Sequence, residues 1–246
     1  MDANKIREIR SIRENPRFRR YPEYKESGVE WIGEIPKHWR YSRLKFHLTE
    51  NSGGIWGEDD EFGNGTYILR STEITIDGHW DLQNLMKRKL SKEEAERFLL
   101  TQGDLIVTKS SGSQNHIGKT GIVDETIEAM LACYSNFVQR LRPQSYINSK
   151  FLHYFMNCSL AREQYKYQSE TTTGLANLNA QSINELFIAV PSEQEQSQIV
   201  NFLDRETEQI DELITAEQRK IELLKEYRQS LISEAVTGKI DVRNEV

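Results

Sequence analysis

Apolar and polar positions along the chain fall into three regimes. Residues 1–29 are polar and charged and are broken by Pro16 and Pro22, which predicts an arm with at most a short helix. From 30 to 191, short apolar runs alternate with Gly and Asn turns, predicting strands at 66–69, 104–109, 121–123, 137–141 and 185–190. Helical stretches lie between them. Residues 91–100 open on Ser91 with Glu94 three positions later, a capping box in which each side chain satisfies a free backbone N–H at the helix start. In 149–156, Phe151, Leu152, Phe155 and Met156 recur at helical spacing and read as core. The middle of the chain is therefore expected to be a mixed domain.

The third regime is a single long helix. Pro191 closes a strand, Ser192 with Glu195 forms a second capping box, and no Gly or Pro follows until Gly238. About 45 helical residues would span roughly 65 Å. The apolar positions repeat every seven residues: Val200, Ile214, Ile221 and Ala235 form one row, and Leu203, Ile210, Leu224 and Leu231 form the row three residues on. Thr207, Glu217 and Arg228 interrupt the pattern. A helix this long cannot bury such a seam against its own small domain, so a helical partner is expected, from another chain or a symmetry mate. Folding back onto the middle domain is the alternative. The expected fold class is α+β, one mixed domain at 30–191 followed by one coiled-coil helix at 192–237, with an arm at 1–29 and a tail at 238–246.

Length and composition fit this division. With 246 residues, 37% of them hydrophobic, the chain can bury one domain of about 150 residues plus extra elements. No apolar run approaches the roughly 20 residues of a membrane span, and the first ten residues carry no apolar signal core, so a soluble cytoplasmic protein is expected. Cys133 and Cys158 have no ligand-spaced His or Cys nearby and read as small core residues. The net charge of −6 argues mildly against nucleic acid, but it averages a gradient. Residues 1–47 hold 12 Lys+Arg against 7 Asp+Glu, residues 48–190 hold 13 against 18, and residues 191–246 hold 7 against 13. The basic run of Arg7, Arg10, Arg13, Arg17, Arg19 and Arg20 is either a solvated tail or a set of phosphate contacts.

Signatures of catalysis are missing or fail. The stretch SQNHIGKT at 113–120 ends like a phosphate-binding loop, yet Ser113 stands where the first glycine is required. Gly112 comes one residue too early, and Thr120 leads into a strand pattern rather than a helix N-terminus. The acidic run at 58–61 sits among glycines without spaced partners, and His38, His47, His79, His116 and His153 are scattered, so no metal site is expected. Neither a methyltransferase base-holding motif nor a nuclease carboxylate cluster stands out.

Three stretches resemble one family in the right order. YPEYKESGVEWIGEIPKHW at 21–39 resembles the opening segment of type I restriction-modification specificity subunits. LNA at 178–180, followed by IAVPSEQEQSQI at 188–199, resembles the passage from target-recognition domain to spacer helix. LISEAVTGKI at 231–240 is similar to that helix's close. The resemblance implies a non-catalytic subunit in which two target-recognition domains, separated by two antiparallel helices, each read half of a bipartite DNA site. This chain departs from that layout, with one domain and one helix. The expectation is a homodimer through Val200, Leu203, Ile210, Ile214, Ile221, Leu224 and Leu231 that reads a two-fold symmetric site in double-stranded DNA. The partners implied are the methyltransferase subunit, which would bring S-adenosylmethionine, and the restriction subunit, which would bring ATP and magnesium; this chain would hold no cofactor. The rival readings are a defective fragment that docks without specifying a site, and an independent nucleotide-binding enzyme or nuclease.

No base-contact motif carries over from the family, so candidate readers rest on side-chain chemistry. Base edges are read by polar side chains on turns that can enter the major groove. The best turn is KSSGSQNHIGK at 109–119, with Lys109 and Lys119 expected on phosphates, Gln114, Asn115 and His116 on bases, and Ser110, Ser111 and Ser113 beside them. The second is the turn after the strand at 66–69, where Arg70 could pair with a guanine beside Ser71 and Thr72. The third is 168–174, with Thr171 and Thr172. On this reading Arg70→Ala relaxes preference at one base position, and Lys119→Ala weakens all sequences alike. An ordinary polar loop is the alternative for each.

Overall fold

The computed structural model describes residues 15–29, 32–110, 116–169 and 178–243, the side chains of 166–169 excepted. Among them the strands are β1 (Tyr24–Glu26), β2 (Glu34–Pro36), β3 (Arg40–Arg43), β4 (Leu48–Gly53), β5 (Glu58–Asp59), β6 (Thr66–Leu69), β7 (Met86–Lys89), β8 (Leu105–Thr108), β9 (Thr120–Ile122), β10 (Cys133–Tyr134), β11 (Val138–Pro143) and β12 (Phe187–Val190). The helices are α1 (Lys92–Arg97), α2 (Glu125–Ala129), α3 (Ser149–Asn157), α4 (Ser159–Ser169), α5 (Ala180–Asn184) and α6 (Glu193–Val236). The class is α+β with one long terminal helix, as expected. No helix among the described residues is long and apolar enough to cross a membrane.

Two four-stranded sheets carry the domain. One has the order β10-β6-β7-β5, with β10 parallel to β6 and the other pairs antiparallel; the second is the antiparallel sheet β4-β11-β8-β9. Every residue of β8 is buried, which matches its unbroken Leu-Ile-Val run. The core gathers Leu69 of β6, Tyr134 of β10, Ile106 of β8 and Val138 of β11 with Ile74, Leu100, Val123, Ile127 and Ala132. Cys133 is buried and Cys158 half-buried, and desolvation raises both thiols.

Polar strands join where cross-strand partners hold them. In β4, Glu50 pairs with Arg140 and Arg142 of β11, and Asn51 accepts from Gln139 at 2.7 Å. At the start of β8 the buried Asp104 takes a bidentate pair from Arg142, with Nε and Nη2 both at 2.7 Å. The expected arm at 1–29 is partly sheet, because Tyr24–Glu26 pairs antiparallel with Glu34–Pro36. Arg20 lies 4.9 Å from the Tyr24 ring centroid and 3.8 Å from Glu34, while Arg7, Arg10 and Arg13 fall outside the described residues.

One buried and one half-buried imidazole should make the fold sensitive to pH. Tyr146 donates to Phe46 O at 3.0 Å, so it accepts from His47 Nδ1 at 3.1 Å, and His47 Nε2 accepts from Ser42 Oγ at 2.6 Å. The neutral ring is thereby fully satisfied. Desolvation, aided by Arg40, lowers the His47 pKa from 6.5, and desolvation also lowers that of His153. A base whose folded pKa is depressed contributes its full stability above the unfolded value near 6.5 and loses it as pH falls below. Thermal melts at pH 7.5 and pH 5.5 should show a lower Tm at the acid value; equal Tm values would mean that both rings ionise freely.

The chain divides into two compact units, Met1–Ser197 and Gln198–Val246. In the first, Ser192 and Glu195 form the expected capping box, and Gln196 accepts from Asn148 N at 2.7 Å. Glu195 also reaches back to the 21–39 stretch, with His38 Nε2 at 2.8 Å and Trp39 Nε1 at 3.4 Å. In the second unit, Ile210, Ile214, Ile221, Leu224 and Leu231 are 45–57% exposed. Two of the seven expected seam positions differ: Val200 is 4% exposed and Leu203 half-buried, so the open stretch begins a turn or two later than the heptad pattern does.

Candidate nucleic-acid interface

Strands β8 and β9 form a hairpin whose connection is the loop 109–119. Its base is closed by Gly118 N donating to Thr108 O and Thr108 N to Lys119 O, both at 2.9 Å. Gly118 has φ of +75° and lies against the buried Tyr165 ring of α4, which leaves no room for a Cβ. Leu178 N, four residues beyond the third candidate segment, donates to Lys109 O at 2.8 Å. Lys119 Nζ donates to Ser71 O at 2.9 Å and to Ile74 O, tying in the second candidate turn. Arg162 of α4 donates to Ile117 O and Ile76 O, each at 3.0 Å. The described parts of the 71–76 turn and of the 109–119 connection thus meet on one surface, around a cleft of about 370 Å³ lined by Ser71, Thr72, Ile74, Thr75, Ile76, Asp81, His116 and Lys119.

Of the expected readers, Ser71, Thr72, His116 and Lys119 line this cleft. Lys109 is half-buried beside Gly53 and makes no ion pair among the described residues; burial lowers its pKa, so its charge lacks full solvation there. Ser110 is half-buried next to it. Ser111, Ser113, Gln114, Asn115, Thr171 and Thr172 lie outside the described residues.

Two expected roles do not fit the geometry. Lys119 is buried, and its ammonium is spent on two backbone carbonyls; desolvation, then the nearby Arg162, lower its pKa, against the pull of Glu73. It holds the 71–74 turn against the hairpin rather than facing a phosphate. Arg70 donates through Nε and Nη2 to the buried Glu73 carboxylate and through Nη2 to Asn84 O at 3.0 Å. A buried carboxylate needs such a partner. Arg70 therefore fixes the 71–73 turn instead of offering a free fork to guanine. Lys119→Ala should lower the unfolding free energy by about 1–3 kcal/mol as two carbonyls lose their donor. Chemical denaturation measures this, and an unchanged midpoint would return Lys119 to a surface role.

Thr75, Ile76, Asp81 and Arg162 belong to the site and were not singled out from the sequence; the Asp77-Gly78 pair was the available turn signal. The phosphate-loop resemblance fails structurally as well, since Thr120 opens a strand and Lys119 faces inward. No group of three or more His, Cys, Asp or Glu is placed to hold a metal among the described residues.

The family model described as type I restriction modification DNA specificity domain matches residues 46–223, which includes both sheets, the cleft and most of α6. The specificity subunit of the type I restriction enzyme EcoKI of Escherichia coli K12 is 24% identical over 213 residues, covering 86% of this chain and 46% of that protein. The putative MjaX specificity subunit of Methanocaldococcus jannaschii is 26% identical over 218 residues, covering 87% and 49%. The chain thus spans about half the length of the curated relatives it matches. Among solved structures, the HsdS subunit from Thermoanaerobacter tengcongensis superposes with a TM-score of 0.53 at 18% identity, covering 96% of this chain and 55% of that one. A chain from a structure of type I R-M system assembly and conformational transition gives 0.62 at 18% identity, covering 94% and 55%. With the family model spanning well over half of its residues, this chain belongs to the type I restriction modification DNA specificity domain family.

Proposed function

We propose that this chain is the sequence-reading subunit of a type I restriction-modification complex and works as a pair of half-length copies. Each copy places one cleft on DNA, and α6 of one copy pairs with α6 of the other, so that the two domains read a bipartite, two-fold symmetric site. Methylation and cleavage belong to partner subunits, which bring S-adenosylmethionine, ATP and magnesium, in a cytoplasmic setting. The observation that carries this reading is the exposure of Ile210, Ile214, Ile221, Leu224 and Leu231 along one helix. An apolar seam of that length in water calls for a helical partner. The acidic helix, with 13 Asp+Glu against 7 Lys+Arg over residues 191–246, suits a protein surface better than phosphate.

Co-expression with the cognate methyltransferase subunit in a methylation-free host, followed by single-molecule mapping of modified adenines, tests it. A palindromic bipartite motif is expected. A complex that forms yet modifies no motif would overturn the reading in favour of a fragment that docks without specifying a site.

A further inference from the structure

The turn 74–80 borders the cleft and is built to hold its shape. Ile74 and Trp80 bridge its base, Thr75 N donates to His79 O at 2.9 Å, and Gly78 N donates to Thr75 O at 3.1 Å. Gly78 is buried with φ of +85°, and a Cβ there would stand 2.6 Å from Thr120 O and from Asn157 Nδ2. Arg162 grips Ile76 O with one nitrogen and Ile117 O with another, so one guanidinium fixes this turn and the hairpin loop together. At the apex the Ile76 side chain is 56% exposed. It lines a cleft together with the polar residues Ser71, Thr72, Thr75, Asp81 and His116.

A single exposed isoleucine is ordinary on a protein surface. Here it is an apolar contact at a fixed position among hydrogen-bonding groups. The major-groove edges of DNA present one apolar group, the methyl on C5 of a pyrimidine. We infer that Ile76 is a specificity-determining residue that reads the 5-methyl group of a pyrimidine in the major groove. The inference rests on the DNA-reading function proposed above and assigns a chemical class to one position of the target. Thymine and 5-methylcytosine both supply that methyl.

Replacing thymidine by deoxyuridine removes the methyl and leaves every hydrogen-bonding group of the base in place. Binding of the full chain to a duplex bearing the mapped motif, with each thymidine exchanged in turn, should show one position where affinity falls about fourfold, the worth of one methyl-sized apolar group. Ile76→Ala should bind the thymidine and deoxyuridine duplexes alike at that position, while Ile76→Val keeps the difference. If deoxyuridine is neutral throughout but 5-methyldeoxycytidine at one position strengthens binding in an Ile76-dependent way, the methyl read is that of cytosine. The inference is overturned if neither exchange changes binding, or if the penalty survives in Ile76→Ala. Equal wild-type binding to motif and scrambled duplex would instead remove the DNA-reading function itself, and Ile76's role with it.

Discussion

Glutamate at both Ile221 and Leu224 should leave a folded chain that no longer pairs. The two residues sit three apart on α6, on adjacent rows of the heptad, and are 50% and 57% exposed. In a single chain, exchanging them for glutamate removes little buried surface and keeps good helix formers throughout. In a paired seam the same change places four carboxylates, two per copy, against apolar neighbours without partners. Each lost Ile or Leu forfeits about 1.5–3 kcal/mol of burial, so the pair should weaken by at least about 5 kcal/mol, more than three orders of magnitude in Kd. Sedimentation equilibrium at micromolar concentration reads this directly, with circular dichroism as the check on helix content. A wild-type chain that stays monomeric there would sink the pairing, and a double variant that still dimerises would place the interface on another surface.

Gly118→Ala should strongly destabilise the recognition domain. At φ of +75° an alanine costs about 1–2 kcal/mol through its own Cβ. That Cβ would also lie 2.3 Å from Cδ2 and Cε2 of Tyr165, a fully buried ring whose hydroxyl donates to Met156 O at 3.3 Å. The ring has nowhere to retreat, and overpacking of this kind costs about 1–3 kcal/mol more. Together these should lower Tm by roughly 5–15 °C. The backbone at Gly118 would have to shift away from the ring, so preference for the cognate duplex should fall further than helix pairing does. A Gly118→Ala chain that melts with the wild type would mean that the loop does not rest on Tyr165.

Signals confined to a few neighbouring residues were legible in the sequence. The capping boxes of Ser91 with Glu94 and Ser192 with Glu195 form as read, and β6 matches residue for residue because its short apolar run ends in a polar turn. The extent of α6 followed from the absence of Gly and Pro before Gly238, and the family from three ordered stretches. β4 and β7 were not legible. Leu-Thr-Glu-Asn-Ser-Gly and Met-Lys-Arg-Lys carry no apolar rhythm, and they become strands because partners across the sheet supply hydrogen bonds and ion pairs.

The site divides along the same line. Which turns are polar and bounded by strands could be read from residue order, and the described ends of the 109–119 connection do meet the 71–74 turn. What each cation does there could not, because a lysine's role depends on the groups that surround its ammonium. Lys119 and Arg70 look like DNA contacts in the chain and are interior braces in the fold, each held by acceptors that approach from elsewhere in sequence. Val200 shows the same limit in the helix, since the heptad counts it into the seam while the fold buries it. By itself the sequence determined the elements with strong local signals, the long helix and the family. The tertiary structure alone decided which polar groups face outward, because burial is set by contacts between residues that the chain keeps far apart.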